Sequence, residues 1–227
     1  MDSRILNIQL ALFFETPISR PDELISPLDK KLNKLFDGIP TIMPMPDFDK
    51  IKVDLPVVQL TSKTSGYRCN ISKTRIDFFY RPKKIVKDFK NIKNDFNGKA
   101  IKFIEAVIDS NFSQINRIGF VADYFIEHSN PSSRLQKKYI SLQLGDLRDI
   151  AIRFNKENKI ENLSINDITN IQTGFLIIDK KQKKGFLIQR DINNIVEKDL
   201  KFNLISLKNF LNYCYNFVLK NEIARLV

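Results

Sequence analysis

Of the side chains that do proton or metal chemistry, this sequence offers a single histidine, His128, close to two carboxylates, Asp123 and Glu127, spaced four apart. On a strand, residues four apart point to the same side, so the two acids could hold a water or a cation, with His128 as the one imidazole available to a hydrolytic triad. The plainer reading puts His128 in a turn and the acids on a solvated sheet face. Asp179 and the Gln189-Arg190-Asp191 group invite comparison with nucleases that carry acids on paired strands. The acid-x-lysine element of such sites is missing, because position 189 is glutamine and position 191 aspartate. Seven scattered glycines make no dinucleotide or phosphate-loop spacing. No catalytic residue, metal ligand set or cofactor is assigned, and the chain is not expected to be an enzyme.

Charge is the stronger signal. Lysine and arginine number 37 against 26 acidic residues, a formal net charge of +11. Residues 63–102 hold twelve of the basic residues and only three acidic ones, so nine of the eleven excess charges fall in one stretch. Arg68, Lys73, Arg75 and Arg81 there alternate with Tyr67, Phe79 and Tyr80, and Lys83, Lys84, Lys87, Lys90 and Lys93 follow. Cations and aromatics presented together on a sheet hold single-stranded nucleic acid by phosphate contact and base stacking. A second basic group, Lys180, Lys181, Lys183 and Lys184, lies between two copies of Gly-Phe-Leu-Ile at 174–177 and 185–188. It either touches phosphate or keeps a sticky hairpin in water and blocks edge pairing. Phe175, Ile177, Phe186 and Ile188 fall on alternate positions of the two arms, with Leu176, Ile178 and Leu187 opposite, so both sides of this hairpin carry apolar groups. Helices or another chain must cover them, which makes a protein partner or homo-oligomer an expectation, with Phe175, Phe186, Tyr213 and Tyr215 as contact residues.

These groups need elements to place them. Ile8, Leu10, Leu12 and Phe14 alternate with Gln9, Ala11 and Phe13 as in a half-buried strand. Ser26-Pro27 opens a helix through Leu28, Leu32, Leu35 and Phe36, closed by Gly38. A proline-rich connector, 40–56, leads to three strands, Val57–Lys63, Gly66–Ile71 and Thr74–Tyr80, expected to pair as a meander. Pro82 begins a long helix with Ile85, Phe89, Ile92, Phe96, Phe103 and Val107 on one stripe, kinked or split at Asn97-Gly98. Ile118 to Ile126 is the next strand, followed by a turn-rich run from His128 to Pro131. Gly145-Asp146 then caps a helix through Leu147, Ile150, Ala151 and Phe154. Strand character resumes at Ile171, the hairpin follows, and Ser206 caps a closing helix with Leu207, Phe210, Leu211 and Cys214 inward.

Strands in runs with helices between them specify an α+β fold: an antiparallel sheet with long amphipathic helices packed on one face. The order strand, helix, strands, helix occurs twice, which suggests pseudo-duplicated halves within a single domain, 1–227, with a sub-boundary near 128–133. With 43% hydrophobic residues the chain can bury its own core. Cys69 and Cys214 have no partner at redox or metal spacing, no apolar run is long enough to span a bilayer, and no signal peptide is read, so a cytoplasmic location is expected. The stretch Asn116-Arg117-Ile118-Gly119-Phe120-Val121-Ala122-Asp123-Tyr124 resembles the Arg-Ile-Gly strand of a sporadically distributed bacterial family of similar length and no assigned activity. Where that family has a basic residue and an aromatic after the glycine, this chain has Val121 and Ala122. The resemblance implies a fold and no more. The functional expectation is a binding or assembly subunit whose basic face takes nucleic acid or an acidic partner. The alternative is an adaptor, scaffold or immunity-type subunit using the apolar hairpin and the last helix, its charge incidental.

Overall fold

The computed structural model describes residues 3–44, 54–83, 89–142, 144–178, 180–197, 200–218 and 221–227. Lys84, Lys87, Asp179 and part of the proline-rich connector, residues 45–53, lie outside them. The described strands are β1 (Ser3–Phe14), β2 (Thr41–Ile42), β3 (Val58–Thr61), β4 (Tyr67–Ile71), β5 (Arg75–Tyr80), β6 (Ile115–Glu127), β7 (Ala151–Ile160), β8 (Leu163–Ile178) and β9 (Lys181–Asn194). They join in one antiparallel sheet in the order β2-β3-β4-β5-β1-β6-β9-β8-β7. The β1–β6 pair lies at its middle. Outward from it the order is β5, β4, β3, β2 on one side and β9, β8, β7 on the other.

Strand alternation divides the residues between the two faces. Ile8, Leu10, Leu12 and Phe14 of β1 are buried, as are Ile76 and Phe78 of β5 and Ile118, Phe120, Ala122, Tyr124 and Ile126 of β6. Helices α1 (Ile25–Lys31), α2 (Phe89–Asp109), α3 (Pro131–Tyr139) and α4 (Leu204–Val218) cover this side. Phe103 of α2 stacks on Phe78, and Tyr215 of α4 meets both Phe96 of α2 and Phe120 of the sheet. Lys31 of α1 and Lys208 of α4 both pair with Glu105 of α2, tying three helices together at one carboxylate. Tyr139 of α3 reaches Phe154 of β7, which shares its side of the sheet with buried Thr169. The protein is α+β, with its core between this helical layer and one sheet face. Under the helices, at the β8–β9 pair, Asp167 and Arg190 form an ion pair with 3% and 8% of their side chains exposed.

The meander appears as expected, and Gly66 turns it with φ +79°, a left-handed conformation that suits a residue without a Cβ. Four expectations are corrected. Leu147 to Phe154 is not a helix; from Ala151 the chain is the edge strand β7, whose residues are mostly exposed. An edge strand exposed on both sides has no buried face to impose a period of two on its sequence, so the chance helical spacing of four apolar residues misled. The first helix ends at Lys31, several residues before Gly38, because Asn33 and Lys34 turn left-handed at φ 52° and 56°. Gly98 does not split α2, which is continuous from Phe89 to Asp109; nothing lies within 4 Å of where its Cβ would stand. Asn203, rather than Ser206, starts α4: its Oδ1 accepts the Ser206 N–H at 2.9 Å while Ser206 Oγ accepts the Asn203 N–H at 3.0 Å, a reciprocal cap. Beyond these, Pro131, the last residue of the turn-rich run, stands in the first turn of α3, a helix over Pro131–Tyr139 for which the sequence carried no expectation.

Candidate binding face

The sheet face turned away from the helices carries the groups that could meet a ligand. Its composition follows from register. Phe13 of β1 lies between its two cross-strand partners, Arg75 of β5 and Arg117 of β6. Both guanidinium groups cover its ring, at 4.8 and 4.9 Å from the centroid. Four residues along β5 from Arg75, Arg68 of β4 sits 4.6 Å over its partner Phe79. An aromatic ring attracts a cation through the negative charge of its face, and a planar guanidinium stacks on it while its N–H groups stay free to point outward. Asp77 accepts hydrogen bonds from Arg75 at 2.7 and 2.8 Å and from Gln9 at 2.8 Å. Burial raises the Asp77 carboxyl above its usual value, and Arg75 and Gln9 offset part of that rise. Burial, and then the neighbouring charge of Arg81, lower the Arg68 guanidinium below its usual value, with Asp77 acting the other way.

One further step along the strands, a single polar row crosses the sheet. Asn7 of β1 opposes Asp123 of β6, which opposes Gln189 of β9, then Asn170 of β8, then Arg153 of β7. At the other end Arg81 follows Tyr80, the partner of Ile8. Asn170 donates to Gln189 at 3.2 Å, Gln189 donates to Asp123 Oδ1 at 2.9 Å, and Asn7 donates to Asp123 Oδ2 at 3.1 Å. The amides thus point their donors toward one carboxylate. Asn7 Oδ1 is buried with no hydrogen-bond partner. All six residues line a cavity of about 710 Å³, with Leu6, Leu176 and Leu187 as apolar wall and Gln172 beside them. That volume is in the usual range of small-molecule sites.

The basic residues singled out in the sequence do not form one face. Arg68 and Arg75 lie on the open side and Arg81 at its border, whereas Lys90 and Lys93 belong to α2 in the helical layer, and Lys83 is exposed just before it. The thickness of the sheet separates the two groups. Lys73 lies in the β4–β5 turn, where its carbonyl accepts the Ile18 N–H. Lys180, exposed and left-handed at φ 62°, turns the β8–β9 hairpin, and Lys181 and Lys184 are exposed beside it. Lys183 pairs with Glu127 at 2.7 Å. Of the proposed partner contacts, Phe175 is 59% exposed and Tyr213 half-buried, while Phe186 and Tyr215 are core residues, 0% and 2% exposed, and present no surface to a partner. Cross-strand pairing puts Phe186 under the helical layer, which also gives it a ring contact with His128. His128 Nδ1 accepts the Asn130 N–H at 3.1 Å, the geometry of a turn residue. Asp123 and Glu127 share a face as expected, yet each is held by different groups. Among the described residues no cluster of three or more His, Cys, Asp or Glu side chains could hold a metal ion, and no helix is long and apolar enough to cross a membrane.

Sequence reading missed Phe13, Arg117, Asn7, Asn170 and Gln189 as a set, since they come from four strands spread over the chain. The sequence marks Phe13 only as an outward position of β1, Gln189 only beside a missing acid-x-lysine element, and Arg117 only within the strand that carries the family resemblance. No protein-family model matches the chain, and no curated protein matches it. The strand Asn116–Tyr124 that carries the family resemblance is the middle of β6.

Proposed function

We propose that this protein is a binding module whose open sheet face holds single-stranded nucleic acid, with bases stacked over the guanidinium groups that cap Phe13 and Phe79 and phosphates met by Arg68, Arg75, Arg81 and Arg117. The carrying observation is the Arg75–Phe13–Arg117 sandwich: two guanidinium groups on one ring, on a sheet side that bears none of the helices. Stacking tolerates any base, and the arginines supply a sequence-independent grip. The buried, unpaired state of both cysteines agrees with a reducing, cytoplasmic setting for such a task. The matching strand order on either side of the β1–β6 pair supports the reading of two pseudo-duplicated halves, joined so that the face spans both.

The test is fluorescence anisotropy of a labelled single-stranded 15-mer over a salt series. Affinity should fall steeply with salt, since each neutralised phosphate releases counterions. Phe13→Ala should weaken binding about tenfold, within the ~1–3 kcal/mol that a stacked base contributes, whereas Lys90→Gln with Lys93→Gln in the helical layer should change it little. Salt-independent binding, or equal loss in both variants, would overturn the assignment. A polyglutamate peptide that competed as well as the oligonucleotide would reassign the face to an acidic protein partner.

The hairpin tip favours a second reading. Phe175 and Ile177 are 59% and 77% exposed next to Lys184 and Gln182, their cross-strand partners, an apolar pair that another protein or a second copy would cover. Molar mass measured by light scattering over a hundredfold concentration range, with Phe175→Ser alongside, tests this. A monomer throughout, together with an empty pull-down, would remove it.

A further inference from the structure

We infer that the cavity at the border of the open face is a guanine-nucleotide pocket, in which Asp123 accepts both donors of the base edge and Arg81 meets the phosphate. The inference rests on the nucleotide-binding reading of that face and narrows it to one base.

Asp123 has acceptor capacity left over. Its two oxygens provide about four acceptor sites. Asn7 and Gln189 occupy one on each oxygen and fix the plane of the carboxylate. Each oxygen keeps a free lone pair, side by side, on a half-buried group that lines the cavity. The complement of two adjacent acceptors is two adjacent donors. Guanine alone among the common bases presents that pair, ring N1–H beside the exocyclic N2 amino group. Adenine and cytosine set a ring acceptor next to their amino group, and uracil flanks its one N–H with two carbonyls, so each of these would oppose lone pair to lone pair at Asp123. A buried site built for hydrogen bonding rejects a ligand that leaves its groups unpaired more strongly than it rejects one of the wrong size.

The rest of the row fits the same occupant. Leu6, Leu176 and Leu187 offer apolar surface for the faces of a base. Because Asn170 donates to Gln189, which in turn donates to Asp123, the amides cannot easily rotate to present donors in place of the acceptors. Arg81 lies two strand positions from Asp123, about 10 Å at a strand spacing of about 4.8 Å, and its side chain is exposed. A base at Asp123 therefore leaves its phosphate on the Arg81 side, toward Arg68 and the stacked rings, which gives the strand a direction across the face. The same chemistry could come from a free nucleotide or from a nucleotide within a strand.

The experiment separates these sources. Calorimetric titrations with GMP, AMP, CMP and UMP form one arm. Anisotropy with a 15-mer of thymidine and with the same strand carrying one central guanosine forms the other. GMP should bind at least about tenfold more tightly than the other three, the discrimination typical of one bidentate pair, and the guanosine-containing strand should exceed all-thymidine by a similar factor. Asp123→Asn should erase the preference in whichever arm shows it. Arg81→Gln, an exposed change safe for folding, should weaken GMP binding while keeping the preference. A GMP preference without strand binding supports the pocket for a free nucleotide and overturns the nucleic-acid reading of the face. Equal binding of all four nucleotides and of both strands overturns the pocket and leaves that reading standing. No binding in either arm overturns both.

Discussion

Tyr215 illustrates how one side chain can work against its own surroundings. The ring is 2% exposed between Phe96 and Phe120, and its hydroxyl has no hydrogen-bond partner. Burial also pushes its ionisation well above the usual tyrosine range. A desolvated hydroxyl without a partner costs about 1–3 kcal/mol, so Tyr215→Phe should keep or raise stability, by up to ~1 kcal/mol in urea unfolding. A loss of more than 1 kcal/mol would show that the hydroxyl is satisfied in solution. Gly185 is the converse, a position where one added carbon is too many: a Cβ there would stand 2.2 Å from the Ile126 carbonyl oxygen and 2.7 Å from the Phe125 ring. The second Gly-Phe-Leu-Ile copy thus keeps its glycine because Phe125 of the neighbouring strand lies over it. In the first copy, Gly174 faces only the flexible end of Leu187 at 2.9 Å. The two copies look alike in sequence and do different things.

Helices α1, α2 and α4 meet at Glu105, and the pH dependence of that junction follows from its charges. A hydrogen bond from Lys208, reinforced by one from Lys31, lowers the Glu105 carboxyl below its usual 4.5, against a smaller opposing effect of burial. An acid whose folded value is depressed stabilises the fold above its unfolded value and loses that contribution as pH falls through the folded one. Glu105→Gln should therefore cost about 0.5 kcal/mol at pH 7, as expected for a partly exposed pair. The difference between variant and parent should shrink in unfolding curves taken below pH 4.5. A gap that persisted at acid pH would point to packing rather than charge. The elements themselves were legible in proportion to how one-sided their burial is. The β3–β5 meander and β6 could be read within a few residues, because each has one apolar face against the core; the helix placed at Pro82 is described from Phe89, with residues 84–88 outside the described ones. β7 could not, being an exposed edge, and β8 begins at Leu163, eight residues before its apolar alternation was recognised at Ile171. The binding face was legible only in its β4–β5 part, where basic and aromatic residues are close in sequence. The row from Arg81 to Arg153 exists through register alone, and register between strands more than a hundred residues apart leaves no mark in local pattern.

At the scale of the whole molecule, the net charge of +11 is divided by the sheet: arginines with aromatics on the open side, lysines of α2 among the helices. A total charge says nothing about that partition, which is why the composition alone suggests one contiguous basic face. The sheet order has a consequence of its own. Among the described residues, the strands up to β5 build the β1 side of the sheet and those from β6 onward build the other, and the chain passes from one to the other through the short joint 110–114. Asn111 there is left-handed at φ 51° and Phe112 is 36% exposed, so a break costs little local structure. Across the joint the halves share the β1–β6 ladder and the packing of α2 on α4. Chains 1–111 and 112–227, produced together, should therefore recognise each other as a dimer's subunits do, and co-purify in equal amounts on a tag carried by either one. If instead each piece folded alone and ignored the other, the ladder between β1 and β6 would be a seam rather than the centre of the protein.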